Sequence, residues 1–572
     1  MKQLLQGNEA VARGLYEAGV TVVSSYPGTP STEITENAAK YEELYCEWAP
    51  NEKVAAEVAA GASFGGARSF CGMKHVGLNV AADPVFTMSY IGVNGGMVIG
   101  VADDPGMHSS QNEQDSRNYA KAAKLPMLEP ADSAECRDFT KAAYALSEEY
   151  DTPVILRLTT RIAHSRSIVE LGEREARENA PYVKNPAKNV MLPAFARPKH
   201  IAVEARTEKL TALAETDTFN HIEDNGSKIG VIAAGTVYQY AKEALGDSVS
   251  YLKLGLIWPL PVKLIQKFAS LVDTLYVIEE LDSFIETHCR SIGVSVIGKD
   301  LFPCCGEFSQ KTIRSLIQKE TVPSVQLTES LPARPPVMCC GCPHRGVFYA
   351  LKRLKVYVSG DIGCYTLGAS APLSAMDTCV CMGASVSALH GYNKACGAGD
   401  RAVAVIGDST FIHSGITGLI DVAYNQSNSV VIILDNSITG MTGHQQNPTT
   451  GYNIKGDPAP YVNLEALCKA VGIQRVRVCD PYDLPAMTAA IQEELAADAP
   501  SVIISRRPCA LLKNVRHAPA LTVQPDACVG CKACLSIGCP AISIKDGKAV
   551  IDRTQCVGCG VCTSLCRKGA IQ

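Results

Sequence analysis

The sequence predicts an α/β protein with three parallel-sheet domains and a small, cysteine-rich α+β domain at its end. Three observations lead to this prediction. The chain has 572 residues, which is enough for about three to five domains. Short apolar runs alternate with helical patterns through most of its length, and this alternation is typical of parallel sheets. Finally, eight of the 24 cysteines fall within residues 528–572.

Composition narrows the class of protein. Hydrophobic residues make up 47% of the chain and charged residues 19%, so the chain is able to bury several cores. The formal net charge of −5 argues against a nucleic-acid binder held by bulk positive charge. No run reaches the ~20 apolar residues of a membrane helix, and the start, MKQLLQGNEAVARG, lacks the apolar core of a secretory signal. We therefore expect a cytoplasmic protein with no nucleic-acid and no membrane partner.

The first domain is predicted at residues 1–190. A helix at NEAVARGLYEAG leads to a strand at VTVVSSY, and a second helix is predicted at NEKVAAEVAAGASFGG. Further strands are predicted at VFTMSYIGV, GMVIGVA and TPVILRLT. Residues 191–227 are interpreted as a linker or crossover, with a possible helix at EARTEKLTALAE.

Two more α/β domains follow. The second is predicted at residues 228–330 and begins with KIGVIAAGTVYQYAKEAL. A Pro-rich joint, LPARPPVM, opens the third domain at residues 331–521, whose buried strands include AVAVIGDS, VVIILDN and SVIISRR. The last domain is predicted at residues 522–572.

The cysteines of the last domain form an internal repeat. CVGCKACLSIGC is echoed by CVGCGVCTSLC, and each half reads C-x2-C-x2-C followed by a fourth cysteine. This spacing lets three thiolates of one loop hold three irons of a [4Fe–4S] cluster, while the other half supplies the fourth ligand. The repeat resembles a bacterial two-cluster ferredoxin. A pair of zinc knuckles is the alternative.

Because each cluster takes its fourth ligand from the opposite half of the repeat, every cysteine can be assigned to one of two clusters. The first cluster is predicted to use Cys528, Cys531, Cys534 and Cys566. The second is predicted to use Cys556, Cys559, Cys562 and Cys539. In the first half, four residues rather than three precede the last cysteine, and this loosens the local geometry without removing a ligand.

A metal site is predicted where two buried strands end. AVAVIG is followed by Asp408, and VVIILD is followed by Asn436. The carboxyl ends of parallel strands lie at one edge of a sheet, so these two side chains are expected to meet. Carboxylate, amide and carbonyl oxygens suit Mg²⁺, and the carbonyl of Ile438 is the natural third protein ligand. A plain α/β turn with an exposed aspartate is the alternative.

The same stretch resembles the thiamin diphosphate motif, in which Gly-Asp-Gly is followed further along by Asn. Here the motif reads Gly407-Asp408-Ser409, so Ser stands at the third position. Gly407 allows a close approach, and Ser409 and Thr410 open a helix whose N-terminus favours phosphate groups.

A thiamin site also needs a buried carboxylate to activate the aminopyrimidine ring, which is a role for a group with a tuned pKa. Glu52 and Glu57 lie on one small-residue helix, NEKVAAEVAAG. Glu52 is the preferred candidate and Glu57 its rival, and an exposed helix face is the alternative for both.

The full set of motifs resembles one family. YPGTPSTEI, DDPGMHSSQNEQDSR, CCGCPHR, GDIGCYTLG and GDSTFIHSG together resemble the alpha subunits of indolepyruvate ferredoxin oxidoreductases, within the 2-oxoacid:ferredoxin oxidoreductases. The resemblance implies thiamin pyrimidine-binding and diphosphate-binding domains at 1–190 and 331–521. It implies a transketolase C-terminal-like domain at 228–330 and a two-[4Fe–4S] ferredoxin-like domain at 522–572. Cys340 departs from the proline expected in the CCGCPHR stretch.

The resemblance also implies roles for further residues. Thr29 would face the substrate, and His344 would approach the diphosphate or the substrate carboxylate. Two pairs would surround the cofactor: Gly383 and Ala384 against the diphosphate, and Asp361 and Cys364 along the cavity. Cys339, Cys340 and Cys342 form a possible partial zinc site instead.

The implied reaction is oxidative decarboxylation of an arylpyruvate with coenzyme A, using thiamin diphosphate, Mg²⁺ and two [4Fe–4S] clusters. The implied partners are a beta subunit in an α2β2 assembly and an external ferredoxin. Pyruvate or another 2-oxoacid could replace the arylpyruvate. A non-oxidative decarboxylase and a pure electron-transfer subunit are the alternatives from other classes, and the intact cluster ligands and thiamin-site residues argue against each in turn.

Overall fold

The structure is a computed structural model, and it describes residues 1–321, 323, 325, 327–332, 334–396 and 401–572. The chain divides into two units, Met1–Thr328 and Glu329–Gln572, close to the predicted boundary between residues 330 and 331. The predicted joint at 331–338 includes Ala333, which lies outside the described residues. None of the helices in the described ranges combines the length with the hydropathy that a membrane span requires.

The first unit contains two sheets and a separate strand pair. Its strands are β1 (Lys2–Gln6), β2 (Val22–Ser25), β3 (Tyr45–Trp48), β4 (Ser69–Lys74), β5 (Met97–Asp103), β6 (Met127–Leu128), β7 (Val154–Thr159), β8 (Arg166–Glu170), β9 (His221–Glu223), β10 (Ile229–Ala234), β11 (Ser250–Leu254), β12 (Leu256–Trp258) and β13 (Thr274–Val277). The larger sheet has the order β12-β6-β7-β5-β4-β2-β3 and is parallel except at β12. The smaller sheet has the order β13-β10-β11-β9 and is antiparallel only at β9. β1 pairs with β8 in antiparallel fashion.

Helices connect these strands, as the alternating pattern predicts. They are α1 (Gly7–Glu17), α2 (Thr32–Ala38), α3 (Glu52–Phe64), α4 (His75–Ile91), α5 (Arg117–Ala123), α6 (Ser133–Glu149), α7 (Thr160–His164), α8 (Pro186–Asn189), α9 (Pro193–Ala214), α10 (Gly235–Leu245), α11 (Lys263–Ala269), α12 (Phe284–Ser291) and α13 (Gln310–Ile317). The predicted linker at 191–227 contains α9 and β9, so it is far more ordered than its composition suggests.

One predicted strand is wrong. VFTMSYIGV was expected to be a strand, but it continues helix α4 as far as Ile91. The buried positions of α4 include Leu78, Ala81, Val85 and Met88, and this spacing of three and four residues is that of a helix face. An uninterrupted apolar run does not distinguish a buried helix from a buried strand. The three- and four-residue spacing of the buried positions identifies this segment as a helix.

The second unit contains a six-stranded parallel sheet and a small hairpin. Its strands are β14 (Tyr357–Gly360), β15 (Thr378–Cys379), β16 (Ala402–Gly407), β17 (Val430–Asp435), β18 (Arg475–Cys479), β19 (Ser501–Arg506), β20 (Ile542–Lys545) and β21 (Lys548–Ile551). Its helices are α14 (His344–Leu354), α15 (Ala384–Cys396), α16 (Asp408–Thr410), α17 (Ile416–Tyr424), α18 (Leu464–Ala470) and α19 (Leu484–Leu495). The large sheet has the order β15-β14-β16-β17-β19-β18.

Both faces of the second unit's large sheet are buried. Along β16, Val403 and Val405 join one apolar core, whereas Ala404 and Ile406 join another on the opposite face. A strand covered by helices on both sides reads as a continuous apolar run, which is why AVAVIG was recognisable in the sequence. The hairpin of β20 and β21 lies between the two cysteine motifs and is antiparallel.

Candidate functional site

Polar residues meet at the carboxyl edge of the second unit's large sheet. The strands β14, β16 and β17 lie side by side, and each is followed directly by a polar residue. These are Asp361 after β14, Asp408 after β16 and Asn436 after β17. Ligands of doubly wound sheets bind at this edge. The structure therefore brings Asp408 and Asn436 together, as the strand pattern predicts.

The three predicted magnesium ligands have suitable spacing. One amide atom of Asn436 lies 2.9 Å from the carbonyl oxygen of Ile438 and 3.2 Å from Oδ1 of Asp408. With that atom as nitrogen, the amide donates to both oxygens, and with it as oxygen, it faces the other two oxygens. Oxygens about 3 Å apart match the edge of an octahedron whose metal–oxygen bonds are about 2.1 Å. The three groups fit Mg²⁺ once the amide turns its oxygen toward the ion.

The Asp408 carboxylate is held in a buried setting. It is 2% exposed, and it accepts hydrogen bonds from the Ser409 backbone N–H at 2.8 Å and from the Thr449 hydroxyl at 3.2 Å. Burial, together with the negative charge of Asp435, raises the pKa of Asp408 to about 7. An environment that disfavours a bare carboxylate favours a neutralising cation beside it.

Asp361 organises the turn that was expected to contact the diphosphate. Its carboxylate accepts hydrogen bonds from the backbone N–H groups of Gly383 and Ser385, each at 2.9 Å. These bonds fix the start of α15, which begins at Ala384. Asp361 is fully buried, and burial raises its pKa to about 6. Through these bonds Asp361 holds the turn at 383–385 in place, and its position along the cofactor cavity stays a prediction.

Gly383 tolerates no side chain. Its φ is +85°, a left-handed conformation, and a Cβ there would lie 2.9 Å from the backbone carbon of Ser414. We expect Gly383→Ala to lower the free energy of unfolding by more than about 1 kcal/mol, because of the left-handed strain alone, and to weaken binding of Mg²⁺ and thiamin diphosphate. Thermal unfolding and calorimetric titration measure the two effects.

Gly391 provides the matched control for that prediction. It lies within α15, and a Cβ there would meet nothing within 4 Å. Gly391→Ala should raise the free energy of unfolding by up to about 1 kcal/mol, since alanine is the better helix former. Equal behaviour of the two variants would contradict the role assigned to the 383–385 turn.

The remaining residues expected at the diphosphate lie nearby. The Ser409 hydroxyl accepts a hydrogen bond from Thr439 at 3.0 Å, and the Thr410 hydroxyl donates to the Ile362 carbonyl at 3.2 Å. Cys364 is half-buried, and burial raises the pKa of its thiol to about 11. A Cβ on Gly440 would lie 3.4 Å from Sγ of Cys364, so this thiol faces the loop that carries Asn436.

His344 connects to the same edge through Tyr365. The two rings pack edge to face with centroids 5.8 Å apart, and a Cβ on Gly407 would lie 2.7 Å from the Tyr365 ring. Burial lowers the pKa of His344 to about 4, so the imidazole is neutral at pH 7. It can therefore orient a phosphate or carboxylate by hydrogen bonding but adds no positive charge.

The first unit separates the two rival glutamates. Glu52 begins α3 and is 4% exposed, whereas Glu57 lies on the exposed face and forms an ion pair with Lys53. The helix start is fixed by Asn51, whose side chain accepts from the Val54 backbone N–H at 2.9 Å. Only Glu52 thus occupies the buried setting that activation of a thiamin ring requires.

Gly77 and Lys74 lie close to Glu52. A Cβ on Gly77 would lie 2.6 Å from Oε1 of Glu52, so this glycine of α4 leaves room for the carboxylate. Lys74 lies at the end of β4, and burial lowers its pKa. The negative charges of Asp104 and Glu52 act in the opposite direction but do not cancel this effect. The unit therefore places a buried carboxylate and a lysine at one sheet edge.

Thr29 belongs to the same group. A Cβ on Gly28 would lie 3.2 Å from the Lys74 side chain, and the Lys74 ammonium donates to the Ser109 carbonyl at 3.0 Å. The Ser109 hydroxyl in turn donates to the Thr29 carbonyl at 3.2 Å. Thr29 itself is partly exposed, so its side chain remains accessible.

The eight cysteines of the repeat line two separate cavities. The first cavity is lined by a set that includes Cys539, Cys556, Cys559 and Cys562. The second is lined by a set that includes Cys528, Cys531, Cys534 and Cys566. In each cavity three cysteines come from one motif and the fourth from the other. These are the two sets that the crossed spacing predicts.

The thiols surround a space rather than one point. In the described part of the chain, no three His, Cys, Asp or Glu side chains are arranged to hold a single metal ion. A cubane needs this wider arrangement, because each thiolate binds a different iron.

Backbone donors reach two sulfurs of the second cavity. The N–H of Ala549 lies 3.4 Å from Sγ of Cys528, and the N–H of Ala570 lies 3.2 Å from Sγ of Cys566. The Ala549 donor is the main reason why the pKa of Cys528 is lowered. Such donors stabilise thiolates and tune the potential of a bound cluster.

The CCGCPHR loop lies against the first cavity. Arg345 is 5% exposed, and its guanidinium donates to the carbonyl oxygens of Cys339, Ile537 and Gly538. Ile537 and Gly538 directly precede Cys539. One buried arginine thus ties the loop that carries His344 to the segment that supplies a predicted cluster ligand.

Sequence reasoning missed Arg345, Lys74 and Thr449. Arg345 follows the predicted His344 directly, but its partners Ile537 and Gly538 lie nearly 200 positions away, and nothing local points to them. Lys74 had a usable signal, since a lysine ends the otherwise buried strand SFCGMK. Thr449 lies in a loop without periodicity, and only the fold brings it to Asp408.

Family models match three parts of the chain. The model described as pyruvate flavodoxin/ferredoxin oxidoreductase, thiamine diP-binding, matches residues 13–230, which include Glu52. The C-terminal TPP-binding domain of thiamine pyrophosphate enzymes matches residues 361–505, which include Asp408 and Asn436. The 4Fe-4S binding domain matches residues 549–572, which include the second cysteine motif.

Several relatives match the chain over its full length and carry one name. The chain is 40% identical to indolepyruvate oxidoreductase subunit IorA of Archaeoglobus fulgidus, over 100% of its own length and 97% of that protein. It has the same identity and coverage with the subunit of that name from Pyrococcus horikoshii. Among solved structures, the 2-oxoglutarate:ferredoxin oxidoreductase of Magnetococcus marinus aligns with a TM-score of 0.47 at 17% identity, over 56% of this chain and 65% of that one.

Proposed function

Because the chain belongs to the indolepyruvate oxidoreductase branch of the 2-oxoacid:ferredoxin oxidoreductase family, we propose that it is the alpha subunit of an arylpyruvate-oxidising enzyme. The reaction converts an arylpyruvate and coenzyme A to arylacetyl-coenzyme A and CO₂, and two electrons leave for external ferredoxin. When bound, thiamin diphosphate supplies the electron sink that lets a 2-oxoacid lose CO₂.

The observation that carries this proposal is that one loop joins the diphosphate half-site to a cluster cavity. The CCGCPHR loop lines the first cavity, and His344 near its end packs on Tyr365, whose ring lies against Gly407. Electrons released at the diphosphate half-site would therefore meet the cluster of Cys539, Cys556, Cys559 and Cys562 first. The other cluster would pass them onward.

The proposed role of Glu52 is to hold a proton at the aminopyrimidine ring. Its burial and the space left by Gly77 support this role, and the exposed ion pair of Glu57 argues against the rival. Thr29 and the adjacent Lys74 are proposed to bind the substrate, since a lysine is a natural partner for a 2-oxoacid carboxylate.

The proposed diphosphate site combines a cation with backbone donors. Asp408, Asn436 and the Ile438 carbonyl would hold Mg²⁺, which binds phosphate oxygens together with a few protein oxygens. The turn at Gly383 and Ala384 would approach the phosphates, because Gly383 has no side chain and Ala384 has only a methyl group. The hydroxyls of Ser409 and Thr410 lie beside it.

The other components belong to the same proposal. The smaller sheet of the first unit would be the transketolase C-terminal-like domain, and the five segments would be divided at 190, 227, 330 and 521. A beta subunit would complete an α2β2 assembly and share in binding coenzyme A. All 24 cysteines are free of disulfides in the structure, which supports a reducing, cytoplasmic setting.

The test is an anaerobic assay of the chain together with its beta subunit. Indolepyruvate, thiamin diphosphate, Mg²⁺ and coenzyme A are added, and reduction of a viologen dye is followed, with pyruvate and 2-oxoglutarate in parallel. We expect reduction that requires coenzyme A and is fastest with indolepyruvate. Faster reduction with pyruvate or 2-oxoglutarate would identify that 2-oxoacid as the substrate instead. Release of CO₂ without dye reduction would show that the enzyme is a non-oxidative decarboxylase.

A further inference from the structure

Two further thiols, those of Cys340 and Cys342, line the first cavity beside the four cysteines of the repeat. The thiols that act on Cys342 are those of Cys364 and Cys339, whereas Cys340 interacts with Cys539, one of the predicted ligands. Cys340 stands where the sequence resemblance led us to expect proline. The function proposed above gives it no role.

The Cys340 loop approaches the ligand loop closely. Gly341 has a φ of +66°, and a Cβ there would collide with the side chain of Val557, the residue between Cys556 and Gly558. The Tyr482 hydroxyl donates to the Gly341 carbonyl and fixes the loop in this position. Only a glycine next to Cys340 permits this approach.

Cys340 lies between two parts of the predicted ligand set. Its Sγ is 3.8 Å from the side-chain oxygen of Gln555, the residue before Cys556. Its thiol also interacts with that of Cys539. The two thiols are neighbours, although they lie almost 200 positions apart.

The segment around Cys539 differs from the regular motif. Four residues rather than three separate it from Cys534, and Arg345 is bound to the carbonyl oxygens of Ile537 and Gly538 just before it. Its position thus depends on the same loop that carries Cys340. A movement of this loop would shift both thiols relative to the cavity.

From these contacts we propose that Cys340 is an alternative ligand of the cluster in the first cavity. It exchanges with Cys539 at one iron. The inference rests on the cluster assignment of the proposed function. The exchange is redox-neutral: one Fe–S bond to Cys539 breaks and one to Cys340 forms, while the proton lost by Cys340 is taken up by Cys539. The cluster thereby keeps four thiolate ligands in both states.

The second cavity provides an internal comparison. Cysteines among its lining residues are limited to the four predicted ligands, Cys528, Cys531, Cys534 and Cys566. Cys566 occupies the position equivalent to Cys539, because each is the fourth ligand donated by the opposite motif. Loss of Cys566 therefore leaves no neighbouring thiol to replace it.

Alanine variants of the full chain, purified anaerobically with the beta subunit, test the exchange. The variants are Cys340→Ala, Cys539→Ala, the double variant and Cys566→Ala. Iron per alpha chain and the EPR spectra of oxidised and reduced samples are measured, so the readout does not depend on activity. We expect about eight cluster irons from the alpha chain in wild type, Cys340→Ala and Cys539→Ala, the last with altered g values. The double variant and Cys566→Ala should lose iron.

Misfolding is controlled within each sample. The double variant leaves the second cavity intact, so the EPR signal of its cluster must persist if the domain is folded. Iron loss in Cys539→Ala equal to that in the double variant would overturn the exchange while leaving the cluster assignment in place. Full iron in Cys566→Ala, or a wild-type chain with a single cluster, would overturn the assignment and the exchange with it.

Discussion

Replacing Glu52 by Gln is expected to lower kcat for 2-oxoacid oxidation by about 10²- to 10⁴-fold, the usual contribution of a positioned acid–base group. Gln has nearly the same shape as Glu and fits the space left by Gly77, but it does not accept or return a proton. The Asn51 cap of α3 is untouched, so folding should be preserved. The viologen assay measures kcat, and the iron content of the same sample shows that the clusters remain.

Glu57→Gln is the matched control on the same helix. Glu57 lies on the exposed face, and its ion pair with Lys53 is a solvent-screened i,i+4 surface contact that adds little to stability. We expect wild-type kcat and a nearly unchanged melting temperature. Full activity in Glu52→Gln, or an equal loss in both variants, would contradict the choice between the two carboxylates.

Asp408→Asn is expected to abolish the stabilisation that thiamin diphosphate and Mg²⁺ give the protein. At ligand concentrations one hundred times Kd, the wild type should gain about 2.7 kcal/mol from binding, and the variant should gain nothing detectable. The reason is the loss of the carboxylate from the three oxygen groups that meet at the sheet edge. Thermal unfolding with and without the two ligands measures the gain.

The unliganded variant separates this effect from misfolding. Burial raises the pKa of Asp408 to about 7 in the fold, well above the ordinary value for aspartate. A carboxyl with a raised pKa stabilises the fold only while it is protonated, so its contribution is lost as the pH rises through 7. At pH 8 the unliganded variant should therefore be at least as stable as the wild type. Asp421→Asn, at an exposed site on α17, should keep the full ligand response.

The sequence was most informative where chemistry follows a regular pattern. Parallel strands end at one edge, so the meeting of Asp408 and Asn436 was predictable from two apolar runs. The crossed cysteine spacing likewise predicted the two sets that line the cavities. Both are local patterns with a single geometric consequence.

The rest depended on contacts between distant segments. Glu52 and Glu57 share a helix, and only the packing of Gly77 on α4 shows which of them is buried. The Arg345 contacts with Ile537 and Gly538 leave no trace in either local sequence. Helix α4 was misread in part because its apolar run fits a strand as well as a helix until the burial period is known.

Substrate electrons are proposed to enter the clusters of this chain through the first cavity. The most direct measurement is freeze-quench EPR of the anaerobic complex with its beta subunit, mixed with indolepyruvate and coenzyme A but without external ferredoxin. We predict reduced [4Fe–4S] signals that form at the rate of CO₂ release, first from the cluster of Cys539, Cys556, Cys559 and Cys562. Complete CO₂ release with all clusters still oxidised would contradict the account.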